Sequence, residues 1–171
     1  MILKVAKLGA KVLRLRSQDV DPRAVARGDY EAFLADLEET MREYEGTGIA
    51  APQVFTALRI FLYEVHPEKR KRDDPKVPLT AYFNASYEPV GEEIEEDSEG
   101  CLSVPFLWGE AVPRYRTIRV RALDRSGKKV AFEASGFHAR VLQHEIDHLE
   151  GFVYLDRMRD MKSLAYTINF G

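Results

Sequence analysis

The chain has 171 residues, 45% of them apolar, and a formal net charge of -3. That length suits a single domain, residues 1–171, with a real core, and the slight acidity gives no bulk attraction to nucleic acid. The lone cysteine excludes an internal disulfide framework, and no apolar run has the length of a membrane span or of a secretory leader's core, so a cytoplasmic protein without a membrane partner is expected.

In chain order, Phe33, Leu34, Leu37 and Met41 recur at helical spacing with charges between them. This predicts a helix over residues 30–44, ended by Gly46 and Gly48. Residues 46–53 read Gly46-Thr47-Gly48-Ile49-Ala50-Ala51-Pro52-Gln53. They lack the Gly-Lys-Ser/Thr of a phosphate loop and the preceding strand of a dinucleotide fingerprint. Alone, the segment is a glycine turn leading into a tightly packed stretch. Residues 59–65 and 80–87 are strand candidates. Residues 67–76 form a charged loop, for which solvation outweighs attraction to RNA. The acidic residues 91–100 read as a solvated turn. Residues 117–124 and 129–134 flank Arg125-Ser126-Gly127-Lys128, a hairpin signal. Ser135 is placed to cap, and Gly151 to stop, a second long helix. Strands and two long helices without strict alternation predict an α+β fold.

That second helix carries His144-Glu145-Ile146-Asp147-His148. Positions four apart share a helix face, so His144 and His148 can present imidazoles to one cation while Glu145 handles the proton of an activated water. Open catalytic centres take three protein ligands. The glycine-turn extension that supplies a third histidine puts Tyr154 at that position instead. His66 lies beside the charged loop, His138 points to another helical face, and Asp156 and Asp160 follow close behind the helix. Cys101 is left as the third ligand, and one cysteine with two histidines is a recognised open set. Leu142, Ile146 and Leu149 make one apolar stripe that anchors the helix. Phe137 and Val141 lead into the histidine stripe, as core or as pocket wall.

Three segments in order, Gly-Thr-Gly-Ile-Ala-Ala-Pro-Gln (46–53), Glu-Gly-Cys-Leu-Ser (99–103) and Gln-His-Glu-Ile-Asp-His (143–148), resemble the three signature motifs of peptide deformylases. The resemblance implies mixed antiparallel sheets packed around a central helix that carries the metal histidines. It implies removal of the formyl group from N-formylmethionyl nascent peptides, with release of formate. The implied metal ligands are Cys101, His144 and His148, around one divalent ion. That ion is Fe2+ in the cell, with Ni2+, Co2+ or Zn2+ able to replace it. Glu145 is the implied acid–base group. The Gln53 amide and the Leu102 N–H are the implied oxyanion donors. Gly46 and Gly48 are expected to offer backbone groups to the substrate, because glycine allows close approach. Ile49, Phe137 and Val141 are expected to line a methionine pocket.

Family members often carry a glycine after Val-Pro and, soon after it, an arginine that contacts the substrate. Here Phe106 and Trp108 occupy that stretch, and no arginine appears before Arg114. Either the loop merely varies or its contact with substrate is altered. Asn84-Ala85 replaces a common Asn-Pro. Residues 163–171 are too short and too β-branched for the C-terminal helix that docks some members on the ribosome, so ribosome contact is expected to be transient at most. The rival reading is an HExxH peptidase acting on internal bonds.

Overall fold

The computed structural model describes residues 1–66 and 75–167. Residues 67–74 of the expected charged loop lie outside that range. Helix α1 (Pro22–Ala26) starts at Asp21, whose carboxylate accepts from the Arg23 N–H at 2.9 Å, with a proline where no N–H is needed. Helix α2 (Glu31–Glu43) forms where the apolar spacing predicts it and buries Leu34, Leu37 and Met41.

The strands are β1 (Gly48–Ala50), β2 (Ile60–Val65), β3 (Val77–Pro89), β4 (Ile94–Cys101), β5 (Val104–Tyr115), β6 (Thr117–Leu123), β7 (Lys129–Ser135) and β8 (Leu164–Tyr166). They form a five-stranded sheet in the order β1-β2-β3-β6-β7 and a three-stranded sheet in the order β4-β5-β8. Each pairing between these strands is antiparallel among the described residues. Helix α3 (Gly136–Glu150) carries the histidines. Its stripe of Leu142, Ile146 and Leu149 packs into one core with Phe61, Tyr63 and Val120 of the larger sheet. A second core joins α2 to the same sheet through Leu37, Met41, Ile49 and Leu62. The mixed α+β architecture around a central motif helix is the one expected.

Three expectations fail. Residues 91–100 are not a solvated turn, because most of them build β4, and the presumed loop after Cys101 is strand β5. The acidic composition hid β4, because the carboxylates in it and just before it meet cations nearby. Arg116 pairs with Glu93 at 2.7 Å and with Glu95 at 3.8 Å, and Glu99 is buried against arginines. Ser135 precedes α3 but its side chain makes no cap. Its hydroxyl instead pairs with Thr117 Oγ1 at 3.0 Å.

Asn84 sits at a register shift of β3 with φ 51. Its amide bonds both Val20 N–H (2.8 Å) and Val20 C=O (2.9 Å), which ties the N-terminal segment to the sheet. Helix α3 ends at Gly151, φ 83, as the sequence predicts. Ser17 N–H and buried Arg59 satisfy the Leu149 carbonyl there. A Cβ on residue 151 would come within 2.9 Å of the Arg14 carbonyl. Gly151→Ala is therefore expected to lower unfolding stability by at least ~1–2 kcal/mol, the cost of a left-handed side chain alone. Urea denaturation reads this directly, and parental stability would show that the chain reversal at 151 is unstrained.

Candidate metal centre

Helix α3 and the end of β4 bring Cys101, His144 and His148 together, with their ligand atoms within 4.8 Å of one another. The helical spacing sets the two imidazoles 5.0 Å apart, centroid to centroid, nearly perpendicular. Cys101 Sγ lies 3.3 Å from His148 Nε2. The sulfur also receives the Ser103 N–H at 3.4 Å and the Gln53 amide at 3.5 Å. Burial opposes ionisation of the Cys101 thiol, but the neighbouring histidines outweigh it and hold the group well below its ordinary pKa. A thiolate beside two imidazoles is a donor set for a thiophilic divalent cation. Buried His148 Nδ1 has no partner among the described residues.

Glu99 fixes His144. Its Oε2 lies 2.8 Å from His144 Nδ1, which leaves Nε2 for the ligand cluster. The same carboxylate accepts from Arg114 at 2.8 and 3.0 Å and from Arg140 at 2.8 Å. Burial would raise the Glu99 pKa, but Arg114 and His144 drive it far below the carboxylate range. Arg114 continues to Asp147 Oδ2 at 2.5 Å, and Asp147 also takes Arg157 at 2.7 Å. Every charge in this buried chain has an opposite neighbour, so the net gain in stability is small while the loss of one member is costly. The network also settles Arg114. It is almost fully buried and fully paired, so it does not stand in for the substrate-contacting arginine that the sequence lacks.

A cavity of about 660 Å³ opens over the cluster. Gly46, Gly48, Gln53, Leu102, Phe137 and Val141 all border it, with Glu145. Ile49 does not. Its side chain is fully buried among Leu37, Met41 and Leu62 under α2, because alternate residues of β1 point away from the cavity. Gly48 has a second role, since a Cβ there would lie 2.5 Å from Glu145 Oε1. Glu145 is itself buried, its Oε2 has no hydrogen-bond partner among the described residues, and burial pushes its carboxyl up to about 7 against the pull of both histidines. Phe137 and Val141 belong both to the cavity wall and to the main core. Tyr154, where another arrangement would place a third histidine, is buried and lies parallel to the His144 ring. His138 faces away and meets the Tyr63 hydroxyl at 2.9 Å.

The sequence reading missed Glu99, Arg114, Arg140 and Asp147 as positioning groups. Two of them lie inside the quoted motifs, and a carboxylate beside a ligand cysteine was the available signal. Glu99→Gln is expected to weaken Co2+ binding by ~10–100-fold, the usual cost of removing a ligand's hydrogen-bonded support. Competition against a chelator measures it, and unchanged affinity would mean that His144 needs no carboxylate to hold it.

Comparison with known proteins identifies relatives of the chain. Residues 2–164 match the sequence model of the polypeptide deformylase family. The chain is 39% identical over 167 residues to peptide deformylase 1 of Nitrosomonas europaea, covering 98% of this chain and 93% of the other. It is 45% identical over 139 residues to peptide deformylase 1 of Bordetella pertussis, covering 81% and 78%. The Met-Ala-Ser-bound class I type b peptide deformylase of Acinetobacter baumannii superposes with a TM-score of 0.84 at 34% identity, covering 92% of this chain and 99% of that one. A cysteine and two histidines around a buried glutamate, on a fold and sequence shared this widely, place the chain in the peptide deformylase family.

Proposed function

We infer that the roles in this chain's reaction divide among the residues around the cluster. As a peptide deformylase, the chain removes the N-formyl group from the formylmethionine of newly made polypeptides and releases formate. Cys101, His144 and His148 would hold one divalent ion, and the observation that carries this is their close approach beside a buried carboxyl whose Oε2 has no hydrogen-bond partner among the described residues. When bound, the ion supplies Lewis acidity and brings the pKa of water towards neutrality.

Glu145 takes the proton of the water that attacks the formyl carbon, then returns it to the leaving amine. A carboxyl poised near 7 can do both. The Gln53 amide, now turned towards Cys101 Sγ, and the Leu102 N–H donate to the carbonyl oxygen as its charge develops. Gly46 and Gly48 leave room for the peptide backbone. Phe137 and Val141 accept the methionine side chain, for which a flexible thioether is a good filler. The Acinetobacter relative was solved with Met-Ala-Ser bound, which supports a short methionyl peptide as a ligand of this chain.

Thiolate and imidazole suit several cations, and Fe2+ is the ion proposed for the cell, with Zn2+, Ni2+ or Co2+ able to replace it. A thiolate ligand suits the reducing cytoplasm, where nascent chains are made. No helix among the described residues is long and apolar enough to cross a membrane. Ribosome contact, where it occurs, is transient and does not use a helix over residues 164–166, which form strand β8.

Glu145→Gln is expected to keep the fold and one equivalent of metal while formate release from formyl-Met-Ala-Ser falls by ~10²–10⁴, the usual contribution of a positioned acid–base group. Turnover near the parental rate in a metal-loaded variant would remove Glu145 from the mechanism.

A further inference from the structure

Strand β5 carries a feature that the reaction as described does not use. Adjacent residues of β4, Gly100 and Cys101, pair with Trp108 and Val104. Residues 105–107 are therefore extra on the β5 side and bulge out beside the ligand cysteine. Such bulges re-aim side chains next to active sites. The middle residue is Phe106, with φ 66. Glycine takes that conformation freely and L side chains avoid it. The Phe106 carbonyl accepts from the Thr167 N–H at 2.9 Å, which ties the bulge to the chain beyond β8. The ring gains little from burial in the free protein, being 66% exposed.

Phe106 and Trp108 both border the cavity. Trp108 is firmly seated, because its ring lies so close over Gly100 that a Cβ there would be 2.6 Å from two ring carbons. A substrate with its formyl group at Cys101 and its methionine against Phe137 and Val141 must leave across the exposed rim. Phe106 lies two residues along the chain from Val104, the strand partner of Cys101.

We propose that Phe106, with Trp108, forms an aromatic lip that packs on the apolar side chains of the residues following formylmethionine, which makes Phe106 a specificity-determining residue of this enzyme. The proposal rests on the deformylase reading. It accounts for a strained, exposed phenylalanine at a position where glycine would be easier, since the ring is buried only when the substrate arrives.

The test compares kcat/KM for formyl-Met-Leu-Phe and formyl-Met-Ser-Ser with metal-loaded enzyme. The parent should prefer the apolar peptide by roughly tenfold, the scale of one good aromatic contact. Phe106→Gly should bring the ratio close to one while melting no lower than the parent, because glycine relieves the left-handed backbone. Phe55→Gly is the matched control. Phe55 has φ 63 and is 51% exposed, but does not border the cavity, so its loss should leave the ratio at the parental value. A parent without the preference, a Phe106→Gly variant that keeps it, or an equal effect from Phe55→Gly would overturn the proposal. No formate from either peptide would overturn the deformylase reading, and the proposal with it.

Discussion

Glu99 is a carboxylate with almost no access to water, held between the smaller sheet and helix α3. It accepts from Arg114 on β5, from Arg140 on α3 and from His144 on α3. An isolated charge in that position would cost several kcal/mol to bury, so the cations must be in place for the chain to fold this way. Asp147, one helical turn beyond, takes the other side of Arg114. The rotation of α3 and its distance from the β4–β5 hairpin are thereby set by charge pairing, where apolar packing alone would allow slippage. The orientation of His144 follows, because its Nδ1 is committed to Glu99 and its other nitrogen is left for the ligand cluster.

The site then assembles at the junction of the two sheets. The larger sheet presents β1, whose glycine at 48 lets the backbone come against Glu145. The smaller sheet presents the end of β4 with Cys101, and Gly100 lets Trp108 lie flat beside it. Helix α3 lies between them and supplies His144, Glu145 and His148 from successive turns. Each close approach depends on a missing side chain at one position. The short motifs therefore mix reacting residues with glycines that only make room.

The parts most legible in the sequence were those with local causes. Apolar spacing located α2 and α3, a four-residue turn located the β6–β7 hairpin, and Gly151 marked the end of the motif helix. The cluster of Cys101, His144 and His148 was also legible, because two histidines four apart fix a face and the chain holds a single cysteine. What escaped was decided by distant partners. The acids of β4 look solvated until Arg114 and Arg116 are placed beside them. Ile49 looks like a pocket residue until the two-residue alternation of β1 turns it under α2. The strand character of residues 104–115 is set by pairing with β4 and β8, and no turn chemistry within it announces that.

The central claim is that Cys101, His144 and His148 are the complete protein ligand set, with Glu99 and Glu145 near the ion but not on it. X-ray absorption at the metal edge of protein loaded with one equivalent of Zn2+ tests this most directly. The account predicts one sulfur near ~2.3 Å and two imidazole nitrogens near ~2.0–2.1 Å, with any remaining position filled by a light atom from solvent. The same spectrum should persist in Glu145→Gln and lose its sulfur in Cys101→Ala. A centre without sulfur, a second sulfur-free site elsewhere, or a spectrum that changes its oxygen shell when Glu145 is replaced would contradict it.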